Sequence, residues 1–247
     1  MSAGDDEVIL VRKHTRASRW MHWINFPLLT IMIWSGLRIY CADLRDPYGV
    51  GIGLIGWHWF DLFPDWFNES LGLERRLARG MAFHFTFGWL FTFNGIAYGV
   101  HLWRSGDWRQ VIPTPSDFRQ VGAVVAHDLH LRKTAPPQLG RYNAAQRIAY
   151  GGVLFLGVTV IVSGLAIFAP TQLSFLTAAM GGYESARGVH FASTMGFLLF
   201  FGVHIVQVVR SGFANFWSMV TGYERTTRAA LVSQDPAADV EAEEVSA

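Results

Sequence analysis

Four stretches of this chain run almost without charge, and the segments that join them are polar. The first extends from about Trp20 to Tyr40, the second from about Met81 to Trp103, the third from about Ile148 to Phe168 and the fourth from about Val189 to Val209. Each holds close to the ~20 residues that a helix needs to cross ~30 Å of hydrocarbon. A segment in lipid must satisfy its own backbone polar groups, so each run is predicted to be a spanning helix. Pro27 and the glycines inside the runs are tolerated in such helices. The expected fold is all-α, an integral membrane four-helix up-down bundle over residues 1–225. Residues 226–247 are expected to form an acidic disordered tail. The amino-terminal segment does not read as a cleavable signal: Asp5, Asp6 and Glu7 precede its basic residues, and the apolar run is too long.

Charge sets the expected orientation. Arg12, Lys13, Arg16 and Arg19 precede the first run, and Arg104, Arg109, Arg119, Arg132, Lys133, Arg141 and Arg147 lie between the second and third. Arg210, Arg225 and Arg228 follow the fourth, so fourteen of the 20 Lys and Arg fall on one side. By the positive-inside rule both termini are expected in the cytoplasm of a bacterial inner-membrane protein. The opposite loop, Cys41 to Arg79, is long and aromatic, with Trp57, Trp59, Phe60, Trp66 and Phe67. It reads either as an interfacial amphipathic segment or as a docking surface for an extracytoplasmic partner.

Composition narrows the chemistry. The 247 residues are 51% hydrophobic and only 16% charged, against roughly 25% charged in an average soluble domain. Membrane lipid, and no nucleic acid, is the expected surrounding. With Cys41 the single cysteine, no iron–sulfur cluster, structural zinc site or disulfide can form within the chain. The attachment pattern for c-type haem is also missing. A cofactor must be held by nitrogen or oxygen, and nine His are the candidates.

An ionisable side chain inside a membrane span points to function. His190 and His204 are fourteen residues apart, which returns to within about 40° of the same helix face after ~21 Å of rise. One face of the fourth span thus offers two imidazoles at two depths, a geometry for two stacked haems. At the depth of His190 the matching residue is His84, and at the depth of His204 it is His22. His84 with His190 and His22 with His204 are therefore the expected axial pairs of a di-haem core. His101 is the alternative to His22, although seventeen residues after His84 it lies about 100° off that face. Gly36, Gly88 and Gly164 read either as gaps for a porphyrin or as helix-packing glycines. Arg19, Arg79 and Arg187 read either as propionate partners or as snorkelling cations. His127 and His130 share a spacing that can bind metal but usually marks a polar surface. The Ala-Arg-Gly triplets at 78–80 and 186–188 precede His84 and His190 alike, which suggests a duplicated helix pair.

These residues carry a resemblance. Arg19-Trp20-Met21-His22-Trp23, Ser35-Gly36-Leu37, His84 and the His190/His204 spacing together resemble the bacterial cytochrome b561 and nickel-hydrogenase cytochrome b superfamily over about residues 14 to 220. That superfamily includes the membrane gamma subunits of formate dehydrogenases and thiosulfate reductases. The resemblance implies two b-type haems. A further segment, Arg141-Tyr142-Asn143-Ala144-Ala145-Gln146-Arg147, is similar to one that lies beside the inner haem and quinone site of those subunits. It implies that Asn143 and Gln146 line a quinone pocket, while their spacing alone reads as a helix capping box.

The expected function is electron transfer between the quinone pool and an extracytoplasmic redox enzyme subunit, of a molybdenum or nickel enzyme or its electron-transfer subunit. No catalytic constellation beyond quinone redox is visible. The rival readings are a haem-free membrane anchor and a His-based proton or solute transporter. The spans hold no Asp or Glu to complete a relay.

Overall fold

The computed structural model of the protein describes residues 8–40, 65–72, 77–134 and 142–227. Along the chain run β1 (Val8–Arg12), α1 (Arg16–Tyr40), α2 (Asp65–Ser70), α3 (Leu77–Ser105), α4 (Trp108–Val111) and α5 (Pro115–Asp128). They are followed by α6 (Ala144–Phe168), α7 (Ser174–Ala179), α8 (Tyr183–Ser211), α9 (Phe213–Thr221) and β2 (Tyr223–Thr227). Helices α1, α3, α6 and α8 coincide with the four apolar runs. Each starts four to six residues earlier than its run, because a helix continues through polar turns that hydrocarbon length does not count.

The helical expectation holds with one addition: β1 and β2 pair antiparallel, from Val8 with Thr227 to Arg12 with Tyr223. Both segments are rich in β-branched residues and expose alternate positions, which suits a strand half covered on one face. Thr226 and Thr227 therefore belong to a strand, and the rest of the expected tail lies outside the described residues. The loop expectation at Trp57, Trp59 and Phe60 also lies outside them.

Among the described residues, α6 and α8 are the helices both long and apolar enough to cross a membrane, with mean hydropathies of 2.3 and 1.8. Only 11% of each apolar window is buried, so the apolar side chains face outward. Phe155, Val158, Leu199 and Val209 are more than 60% exposed. Helices α1 and α3 match them in length, at 25 and 29 residues, but carry His22, Asn25, His84, Asn94 and several Trp that lower the mean.

The chain divides into two compact units. One comprises Met21–Gly99 and Leu154–Leu199 and is built from segments of the four long helices. Ser35 meets His84 and Asn94 meets Met21, so α1 and α3 are antiparallel. Ser163 meets His190 and Gly196 meets Leu156, so α6 and α8 are antiparallel too. His84 with His190 and Phe91 with Phe197 make α3 and α8 parallel. These directions are those of an up-down arrangement. Buried hydroxyls are satisfied within their own helices: Thr92 by Gly88 O, Ser193 by Val189 O and Thr194 by His190 O. That pattern suits an interior without water.

The other unit comprises Met1–Trp20, Val100–Val153 and Phe200–Ala247. Here charge holds the elements. Lys13 Nζ bonds Glu224 at 2.9 Å and Asn215 at 3.0 Å, beside the β1–β2 pairing. A capping box starts α5, in which Asp117 Oδ2 accepts from the Thr114 N–H at 2.6 Å and the Thr114 hydroxyl at 2.7 Å. Arg147, on the first turn of α6, reaches Asp117 at 3.3 Å and donates to the carbonyls of Ile112 at 2.6 Å and Arg109 at 3.1 Å. Burial works against the charge on Asp117, but the Thr114 donors and the Arg147 guanidinium outweigh it and hold the carboxyl below its usual range.

Candidate functional site

The histidines of the first unit are built into a repeated local device. His84 lies two turns into α3, with Nδ1 3.0 Å from the hydroxyl of Ser35 on α1. His190 lies two turns into α8, with Nδ1 3.1 Å from the hydroxyl of Ser163 on α6. Each serine is followed by a glycine against the same ring. A Cβ on Gly36 would lie 3.3 Å from His84 Cε1, and one on Gly164 3.2 Å from His190 Cε1. The missing side chains let each imidazole lie against a neighbouring backbone. Both serines are fully buried.

The two rings face one another with centroids 6.0 Å apart and planes at 74°. They line a cavity of about 500 Å³ within the unit, together with Gly36, Gly88, Gly164 and Thr194 and otherwise mostly apolar and aromatic side chains. A volume of that order suits a cofactor-sized ligand. Among the described residues no three His, Cys, Asp or Glu cluster as a metal site. The donor set is two imidazoles from two helices.

These residues fit a haem with two axial histidines. Two imidazoles from different helices, with centroids 6.0 Å apart and each Nδ1 beside a serine, are a donor set that would hold a haem iron. Each Nδ1 faces a serine, while no described hydrogen bond engages either Nε2.

The other expected residues divide as follows. Arg187 lines the cavity and also pairs with Glu184 at 2.9 Å. Arg79 is exposed and is not part of the lining. Gly88 lines the cavity, with Met32 Cε 3.5 Å from the position of a Cβ. His22 belongs to the first unit, edge-on to Trp23 at 5.3 Å, and His204 to the second, stacked on Phe200 at 5.8 Å. His101 Nε2 lies 3.2 Å from the Ser18 hydroxyl and 3.4 Å from that of Thr15. Arg19 Nη2 donates to Val220 O. Asn143 and Gln146 form a reciprocal capping box, with Gln146 Oε1 accepting from Asn143 N–H at 3.0 Å and Asn143 Oδ1 from Gln146 N–H at 2.9 Å.

Sequence reasoning missed Ser35 and Ser163 as histidine partners. The recurring Ser-Gly-Leu at 35–37 and 163–165 carried the signal, but was read for its glycines alone.

The model of the family described as prokaryotic cytochrome b561 matches residues 13–222. The chain belongs to the prokaryotic cytochrome b561 family. It is also 30% identical over 190 residues, 76% of this chain and 85% of the relative, to a putative protein-methionine-sulfoxide reductase subunit, YedZ1, of Azospira oryzae. Family membership makes it a cytochrome b of a membrane protein family, for which b-type haem and electron transfer are the implied chemistry.

Proposed function

We propose that this cytochrome b561 is a multi-pass inner-membrane electron-transfer subunit that works between the quinone pool and a redox enzyme outside the cytoplasm. The observation that carries the reading is the pair His84 and His190, with ring centroids 6.0 Å apart in a mostly apolar cavity. A haem held by His84 and His190 would supply one-electron chemistry. His84 and His190 are the ligands, and Arg187 is the propionate partner on the cavity wall. The apolar lining excludes water and Gly88 leaves room beside the ligand.

The fourteen-residue spacing along α8 supports a second haem, with His204 and His22 as ligands. His101 is the weaker candidate, because its Nε2 is already engaged by Ser18 and Thr15. Asn143 and Gln146 are the proposed quinone contacts. Their capping bonds use the side-chain oxygens, so the amide N–H groups remain to donate to a quinone carbonyl.

Membrane placement draws support from the outward apolar faces of α6 and α8 and from the length of α1 and α3. The basic flanks favour cytoplasmic termini. Pairing of β1 with β2 brings the two ends of the described chain together, as an even number of crossings requires. The Azospira relative is a putative reductase subunit, which supports a reductase as partner; a molybdenum or nickel enzyme is the class proposed.

The test is a haem count on detergent-purified protein by pyridine haemochrome, with a reduced-minus-oxidised spectrum. Two b-type haems per chain are expected, with one lost in His84→Ala and in His190→Ala. His22→Ala should remove the other and His101→Ala should not. A chain purified without haem under haem-replete expression would favour an anchor or a transporter and overturn the proposal.

A further inference from the structure

We propose that Ser35 and Ser163 are positioning residues that hold His84 and His190 in one tautomer, Nδ1 protonated and Nε2 turned to the metal. The inference rests on the reading that these histidines ligate a haem, and it deepens that reading.

The argument is a count of protons. A serine hydroxyl has one proton to donate and two lone pairs to accept with. Ser163 Oγ lies 2.6 Å from Thr159 O and 3.3 Å from Val160 O, and Ser35 Oγ lies 3.2 Å from Met32 O. A carbonyl oxygen only accepts, so each hydroxyl proton points back into its own helix. The lone pairs then face the ring nitrogens at 3.1 Å and 3.0 Å, and each Nδ1 must be the donor. Both serines are 0% exposed, so neither hydroxyl is open to bulk solvent. With Nδ1 carrying the proton, the lone pair is on Nε2, where an iron would bind.

The adjoining glycines complete the socket. Gly36 and Gly164 bring a backbone against Cε1, so the ring is fixed at one edge by a hydrogen bond and on the next atom by contact. The same device occurs twice, from α1 onto α3 and from α6 onto α8. Both axial ligands therefore receive the same electronic treatment. Donation from Nδ1–H to an acceptor makes an imidazole a stronger base, which stabilises the higher oxidation state of the metal and lowers its reduction potential.

The experiment uses the full-length protein in detergent, with redox titration and haem content read together. Ser35→Ala and Ser163→Ala should keep the haem and raise the potential of the His84/His190 centre. The expected change in its reduced-to-oxidised ratio at fixed ambient potential is roughly threefold each, or about 28 mV at 59 mV per tenfold. The double variant should show about twice that shift, and Ser163→Thr, which keeps a hydroxyl, should return the potential towards wild type. Electron–nuclear double resonance on wild-type protein labelled with ¹⁵N-histidine supplies a readout that needs no variant. It should find an exchangeable proton on the remote nitrogen of both axial imidazoles. Retained haem with unmoved potentials in both Ala variants, or an unprotonated remote nitrogen in the wild type, overturns the inference and leaves the haem reading standing. Haem that persists without His84 and His190 overturns the reading beneath it.

Discussion

Around His84 and His190 most polar contacts are uncharged and short in reach, the ion pair of Arg187 with Glu184 at the cavity wall being the exception. Ser35 and Ser163 serve a ring and a carbonyl, Thr92, Ser193 and Thr194 serve their own helices, and Asn94 reaches Met21 O and Asn25. In the unit that carries β1 and β2, ion pairs and charged caps take over: Lys13 with Glu224, Arg147 with Asp117, and Asp117 as the cap partner of Thr114. The difference follows the surroundings. A charge without water or an opposite charge is costly to bury, whereas a hydroxyl paired within its helix is not. Each unit relies mainly on one kind of polar contact, and the hydrogen-bond partners of His84 and His190 themselves, Ser35 and Ser163, are neutral.

The sharpest way to break this comparison is at Asp117, where two Thr114 donors and the Arg147 guanidinium converge on one oxygen. Asp117→Ala should destabilise by about 2–3 kcal/mol, the size expected when buried charged partners are orphaned. The pH dependence has a definite sign. The folded carboxyl is held below its usual range, so its stabilisation is complete above about pH 4 and is lost as pH falls through the lowered folded value. Thermal unfolding midpoints should fall on that acid limb in the wild type and flatten in Asp117→Asn. An unchanged acid limb would remove charge from its place in this unit.

A smaller effect is expected where neutral packing governs. Gly36→Ala and Gly164→Ala place a methyl 3.3 Å and 3.2 Å from an imidazole carbon, closer than the ordinary ~3.5–4.0 Å contact. Each should cost about 1–2 kcal/mol through overpacking and lower the haem content of the purified protein. Gly152→Ala, with nothing within 4 Å of the new carbon, is the control and should leave haem content unchanged. Equal losses in all three would mean that contact with the imidazole carbon is not the cause, since helix propensity by itself favours alanine.

The apolar runs made the four long helices legible in sequence, since hydrocarbon length and helix length coincide. The depth match made His84 and His190 legible as neighbours, and the structure brings their rings together. Three features were hidden for physical reasons. The β1–β2 pairing joins segments more than 200 residues apart, and no local pattern encodes such a partner. Asp117 and Arg147 are thirty residues apart on different helices, each looking like one more solvated charge. Ser35 and Ser163 look like helix-compatible small residues until the direction of each hydroxyl proton is traced. The capping reading of Asn143 and Gln146 was legible because it depends on three-residue spacing alone.

That last pair offers the mildest test. Asn143→Ala should cost about 1 kcal/mol by removing the cap, while Asn143→Ser keeps a capping box with Gln146 and should unfold at the wild-type temperature. If Asn143 also binds quinone, the Ser variant should nonetheless raise KM for a soluble quinone analogue severalfold. An unaltered KM would reduce this residue to a helix terminus.

The register of Val8 on Thr227 has a consequence for biogenesis. β1 is synthesised more than 200 residues before β2, so it lacks this partner until α1, α3, α6 and α8 have all been made. The clasp therefore closes after the long helices are made, and a nascent chain halted before residue 223 has α1, α3, α6 and α8 but not the pairing of β1 with β2.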